Sequence, residues 1–444
     1  MKAIRWMASL LLLAALSLGC TPPAPAQDAA AAGGAQPGYT MAEYNSYQAA
    51  AAEKNPVAQI KLLDDFVAKY PNSKLLNYIY PLYYNNYYGQ KNYPKAIEYA
   101  DKLIAMADKV TPGDLYGAYY VRAASYNNIQ NPDSATSKAA RAAALAALKV
   151  VDQIPKPDAE DGAKFAEEKK TSILLFNGTA ANAAMAAKDY AGAVESFKAV
   201  LAIVPDDLLS NYKMGQADMA MTPPQQLDAL WYFARAATSK SANEQQSKSI
   251  KTYLRKVISN YQGNTVCDPL IDAEMNELLQ LAPNSVDRPA SYKLVSAADL
   301  EAARKDMTIA TVVTDLKAGG DKAKLTWTAA CGLEFPDNPG KLIEITAGTD
   351  TVELKVAFVT SDAEFEAATT PNMAVIIKKT DQPEAAKLEK GNPVHFTGFL
   401  ESYDPDPAFM LHWDKAKVSE EDLPKAGPAK KPAARKPAPK KPGM

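Results

Sequence analysis

The sequence is poor in the side chains that carry most enzyme chemistry. Its 444 residues include three cysteines and two histidines. These are scattered, which removes most zinc constellations and most histidine-dependent catalysis. There is no glycine-rich loop of the kind that cradles phosphate, no Gly-x-Ser-x-Gly nucleophile turn and no paired histidine. His395 and His412 fall on predicted strands without a third ligand and read as ordinary strand residues. Asp64-Asp65, Asp206-Asp207 and Glu420-Glu421-Asp422 fall at predicted helix ends or in loops, where carboxylates cap or solubilise. Charge of neither sign is in excess: the formal net charge is −2 and the pI about 5.9, so nothing global favours nucleic acid or a membrane surface. The sequence assigns no catalytic residue, no metal ligand and no cofactor.

What is present is ordinary globular material. Hydrophobic residues make up 47% and charged residues 23% of a chain longer than one hydrophobic core usually supports. A multidomain α+β protein is expected.

The amino terminus reads as an address. Lys2 and Arg5 precede an apolar stretch at 6–18, too short to span a bilayer but suited to the hydrophobic region of an export signal. The stretch ends in Leu16-Ser17-Leu18-Gly19-Cys20, which resembles the lipobox of bacterial lipoproteins, with Ser17 where that family usually has Leu, Ile or Val. The resemblance implies a signal peptide at 1–19, lipid on Cys20 and a membrane anchor in the cell envelope. Thr21 after the cysteine implies the outer membrane, facing the periplasm. The alternative is cleavage after Ala24-Pro25-Ala26, which would release a soluble periplasmic or secreted protein. Residues 20–40, rich in Ala, Pro and Gly, are expected to be a flexible tether.

From 41 to 285 apolar residues recur at three-and-four spacing, with breaks at Pro-Asn, Pro-Gly and Pro-Asp. The clearest unit, 186–205, resembles the second helix of a tetratricopeptide repeat through Tyr190, Ala193, Phe197 and Pro205. The spacing has a packing rationale: Ala193 lets the paired helix approach, Phe197 fills the space beside it and Pro205 stops the helix. Asn92-Tyr93-Pro94-Lys95-Ala96-Ile97 looks like another second-helix start, and Phe66 to Ser73 like a helix end. Met214-Gly215 sits where a following repeat has Leu-Gly, and Ala229, Phe233 and Ala236 continue that unit. Three to five repeats are expected, with 135–151 an elongated or extra helix.

The resemblance implies an all-α tetratricopeptide-like solenoid with a concave surface for a protein or peptide. Tyrosine is dense between 78 and 93, and Tyr80, Tyr84, Tyr87 and Tyr88, with Asn211, are candidate partner contacts. The competing reading packs these tyrosines between helices. The end at Tyr70-Pro71-Asn72-Ser73 also looks like those in lipoprotein subunits of outer-membrane protein assembly machinery.

After a connector at 286–307, helical near 297–305, the composition changes. Two short helical stretches broken at Gly319-Gly320 precede strand signals at 342–346, 352–358, 374–377, 393–400 and 409–413, with a helix-like 362–368 after the second. The segment 394–404 followed by 409–418 resembles the last hairpin of OB-fold modules in bacterial exported proteins. That implies a small OB-like β-barrel at 308–422, with Gly398 where a strand must bend. Such barrels often bind glycan or nucleic acid, so Phe399, Tyr403 and Trp413 are either a stacking surface or barrel core and strand-end contacts. Cys267 and Cys331 are either a disulfide joining the helical array to the β module or two buried thiols. The tail at 423–444, with Lys430-Lys431, Arg435-Lys436 and Lys440-Lys441, is expected to be disordered, either holding an anionic polymer or merely solvated.

The expected function is that of a non-catalytic envelope scaffold acting through its helical repeats. The alternative is a periplasmic ligand-binding protein acting through its barrel.

Overall fold

The computed structural model describes residues 38–156, 161–405 and 407–424. The export signal, Cys20, the tether up to residue 37 and the basic tail from residue 425 lie outside the described residues.

Short polar side chains start many of the helices. Helix α1 (Met41–Ala52) is entered through a reciprocal capping box in which Glu43 N–H donates to Thr40 Oγ1 at 3.2 Å and Thr40 N–H to Glu43 Oε2 at 2.6 Å. At α2 (Pro56–Lys69), Asn55 Oδ1 accepts from the N–H groups of Val57 and Ala58, and Pro56 occupies the first turn, where its missing N–H costs nothing. Then come α3 (Leu76–Gly89), α4 (Tyr93–Ile104), α5 (Pro112–Tyr126), α6 (Ser134–Val151), α7 (Gly162–Ala186), α8 (Tyr190–Ile203), α9 (Leu208–Ala220) and α10 (Gln226–Thr238).

Two helix-to-helix turns are built alike. Lys91 between α3 and α4 and Lys188 between α7 and α8 adopt left-handed φ values of 60° and 61°. The next residue in each, Asn92 or Asp189, donates its N–H back to Tyr87 O or Ala184 O at 2.8 Å. Its side chain then caps the third N–H of the following helix, that of Lys95 or Gly192. One residue further, Ala96 and Ala193 are fully buried and leave room for the paired helix.

Consecutive helices from α3 to α10 pack on one another, and α3 also packs on α5 and α5 on α7. That is the two-layer contact pattern of stacked helix pairs, as the apolar spacing predicts. Helix α6 covers the alanine-rich run. Helix α7 begins at Gly162, where Asp161 Oδ1 accepts from Ala163 N–H at 2.7 Å and caps it.

The chain forms two compact units whose division falls within α11 (Glu244–Tyr261) and α12 (Asp268–Leu281). The first runs to Thr252 and takes in Leu278–Ala290; the second comprises Tyr253–Glu277 and resumes at Ser291. Part of the expected helical array therefore belongs with the β module.

In the second unit, α13 (Ala297–Arg304), α14 (Ile309–Ala318) and α15 (Gly320–Ala330) precede β1 (Glu334–Ala347), β2 (Thr351–Phe358), α16 (Asp362–Ala367), β3 (Met373–Lys378), β4 (Pro393–Asp404) and β5 (Met410–Val418). The strands close into a barrel in the order β1-β2-β3-β5-β4. All neighbours are antiparallel except β3 and β5, and β4 returns to β1. This is the OB-like arrangement.

Its core includes Val352, Leu354, Val375, Leu400 and Trp413, with Ile309, Val312 and Leu316 of α14 packed against it. Strand β1 is longer than expected because Asn338 bridges a bulge. Its Nδ2 donates to Phe335 O at 2.8 Å and to Phe396 O at 3.0 Å, replacing ladder bonds that the adjacent prolines Pro336 and Pro339 break up. Gly398 lies where the β4–β5 register shifts, and a Cβ there would come within 3.2 Å of the Ala416 methyl.

Cys267 and Cys331 are joined by a disulfide, with their Cα atoms 5.6 Å apart. Both lie in the second unit, so the bond staples that unit internally and does not join the helical array to the β module. Arg304 reinforces the same junction, donating to Ala329 O at 2.9 Å and to Thr265 Oγ1 at 2.7 Å. Replacing Cys331 by Ser releases a cross-link between residues 64 apart. It is expected to destabilise the second unit by about 2–4 kcal/mol. Amide hydrogen exchange of the barrel strands measures this, and reducing agent should reproduce the loss in the native chain without adding to it in Cys331→Ser.

Candidate binding cleft

The helical unit contains an open cleft of about 330 Å³ whose walls include Val194 and Lys198 of α8, Met214 and Asp218 of α9, and Asp228 and Tyr232 of α10. The chain following α12 closes it with Asp287 and Arg288.

The wall is assembled from the inside. Arg235 of α10 is 5% exposed. Its guanidinium donates to Asn211 Oδ1 at 3.0 Å, Pro205 O at 2.6 Å and Ala282 O at 2.8 Å, and also to Ser285 O. The indole N–H of Trp231 donates to the same Ser285 oxygen at 3.2 Å. Further along, Tyr232 Oη donates to Asp287 Oδ1 at 2.9 Å, and Arg288 Nε to Asp228 Oδ1 at 2.8 Å. Segment 282–288 is thereby pinned along α10. Helix α9 is held close to α10 at Gly215, where a Cβ would come within 2.8 Å of the Phe233 ring and 3.0 Å of Ala229 O.

One charged group in this wall is left over. Asp218 is 3% exposed, and no donor among the described residues meets its Oδ2. Burial, reinforced by the nearby charge of Asp228 and opposed by that of Lys198, pushes its carboxyl up to about 7. Lys198 does not neutralise it at contact distance, since its ammonium lies 4.0 Å from Asp287 Oδ1 instead. The arrangement can hold a cation. The other polar side chains that face it already have partners: Tyr232 is engaged by Asp287, and Asp228 by Arg288.

The residues marked out by the sequence are distributed differently. Asn211 is fully buried, donating to Pro205 O at 3.1 Å and Asp207 O at 2.9 Å while accepting from Arg235. It is an internal bracket and not a partner contact. Tyr84 is 4% exposed and likewise packs inside. Tyr80, Tyr87 and Tyr88 are half-buried; Tyr80 and Tyr87 lean on Tyr99, and Tyr88 meets the edge of Tyr93. This cluster serves chiefly as packing between α3 and α4, because tyrosines three or four residues apart share the face of α3 that meets the neighbouring helix.

In the barrel, Trp413 is 1% exposed and meets Phe335 and Phe396 edge-on, so it is core and offers no stacking surface. Tyr403 packs on Trp327 with ring centroids 4.9 Å apart, and Lys415 Nζ lies 5.7 Å from the Phe399 ring centroid. His395 and His412 are not paired with each other: His395 meets Asp422 at 3.0 Å and His412 meets Asp404 at 2.8 Å. Among the described residues no group of three or more His, Cys, Asp or Glu is placed to hold a metal ion. Nor is any helix among them long and apolar enough to cross a membrane.

Sequence reasoning missed Arg235 and Asp218. The signal for both was present: each is a charged residue inside an apolar stripe, Arg235 between Phe233 and Ala236, and Asp218 one turn after Met214. No model of a known protein family matches the chain, and a search of curated proteins finds no significant match.

Because the folded Asp218 carboxyl titrates above the unfolded value of about 3.9, its ionisation disfavours the folded state, and this penalty grows as pH rises from about 4 to 7. Asp218→Asn is therefore expected to stabilise the helical unit at pH 8 by about 1–3 kcal/mol. At pH 5 the gain should be clearly smaller. Denaturant unfolding at the two pH values measures the difference, and an equal effect at both would contradict this account of Asp218.

Proposed function

We propose that the protein is a non-catalytic scaffold of the bacterial cell envelope, exported and anchored by lipid on Cys20, whose tetratricopeptide-like helix stack captures a protein partner. The carrying observation is the cleft with an unpartnered carboxylate in its wall. A buried charge without a counter-ion is costly, and such groups cluster at functional sites. Stacked helix pairs present extended surfaces to peptides and proteins, which suits this use. With its neighbouring side chains committed to structural bonds, the carboxylate is equipped to hold a cationic group more than to transform it. The barrel alternative, binding of glycan or nucleic acid, loses its best stacking residue because Trp413 is core. The tail lysines and arginine remain available to an anionic polymer in this proposal.

A photo-crosslinking residue placed at Gln225, which lines the cleft, is expected to trap a defined protein in living cells, whereas one placed at Thr397 in the barrel is not. Trapping at Thr397 alone would contradict the scaffold reading. Cys20→Ala should move the protein from the membrane fraction to the soluble one; unchanged membrane retention and mass would refute the anchor.

A further inference from the structure

The cleft combines two chemistries. Val194, Met214 and Met221 give it an apolar lining, and the Asp218 carboxylate interrupts that lining with an oxygen that meets no donor among the described residues. A ligand matching both needs an unbranched aliphatic stem ending in a compact cation. An uncharged alkyl group would leave the carboxylate desolvated and unpaired. A guanidinium requires a planar, paired set of acceptors to use its fork. Among the described residues only one oxygen of the Asp218 carboxylate, Oδ2, is both buried and without a donor, whereas the fork engages two oxygens at once. A primary ammonium is a point charge whose donors rotate to suit the acceptors available, on a stem that packs against apolar surface.

We infer that the cleft binds a primary alkylammonium, the end of a lysine side chain presented by the partner, with its methylenes on Met214, Met221 and Val194 and its ammonium on Asp218. This rests on the reading of the cleft as the partner site and names what the partner inserts. Ammonium binding requires the ionised carboxylate. The other charged and titratable groups facing it are Lys198 from α8, Asp228 and Tyr232 from α10, and Asp287 and Arg288 from the pinned segment. Since the Asp218 carboxyl is pushed up to about 7, affinity should be roughly tenfold weaker at pH 6 than at pH 8.

The test uses the full-length chain with 13C-labelled methionine methyls and n-butylammonium as probe. Saturable shifts of the Met214 and Met221 methyls are expected at pH 8. They should be retained in Asp218→Glu, lost in Asp218→Asn, and absent when n-butanol replaces the amine. No saturable shift, an equal response to butanol, or an undiminished response in Asp218→Asn would overturn the assignment. Circular dichroism establishes that the variants are folded. A chain ending at Pro424 separates the tail lysines of this protein from an outside source: unchanged methyl positions support the partner's lysine, and displaced ones overturn it. If butylammonium fails while crosslinking at Gln225 still traps a protein, the lysine assignment falls and the scaffold stands. If butylammonium binds while nothing is trapped, the scaffold falls.

Discussion

The helical unit depends on one buried cation. Arg235 reaches oxygens of three separate stretches of chain: Pro205 in the turn after α8, Asn211 in α9, and Ala282 and Ser285 after α12. A guanidinium has five donors in a fixed plane, so one side chain fixes the mutual placement of all three. Removing it would leave several buried acceptors unpaired at once, each costing on the order of 1–3 kcal/mol. The segment it holds carries Asp287 and Arg288 onto α10, where they form one wall of the cleft. The same unit thus contains a buried cation with its donors engaged and, on α9, a buried carboxylate whose Oδ2 meets no donor among the described residues.

That contrast separates architecture from function. Arg235 is internally compensated and needs nothing from outside. Asp218 raises the free energy of the unliganded fold, and a ligand that supplies a cation recovers part of that energy as affinity. The second unit is held by other means: a closed barrel without free strand edges, aromatic packing around Trp413, and a covalent link between Cys267 and Cys331.

Much of this was legible in the sequence wherever a feature depends on nearby residues. Ala193, Phe197 and Pro205 announce a helix packed closely on its neighbour, and Asn92 and Asp189 announce where such helices begin. Alternation in β2 and the glycine at 398 announce a bent, half-buried sheet. What was not legible depends on partners far away in the chain. Nothing local says that Asn211 will be bracketed by Arg235, or that Asn338 will stand in for ladder bonds and let a strand pass two prolines. Trp413 and Phe399 sit on the same hairpin, and only closure of the barrel decides that the indole points inward. The division of the chain was likewise hidden, because the helical period of α11 and α12 continues unbroken across it.

The Asp218 carboxylate is the centre of the proposed site, and its ionisation can be read directly. Carbon-13 NMR of the Asp218 side-chain carboxyl, followed from pH 3 to pH 9 in the unliganded protein, should show a midpoint near 7. A midpoint in the ordinary carboxylate range, about 4, would mean that the group is already compensated within the fold, and the cleft would lose its claim to be a binding site.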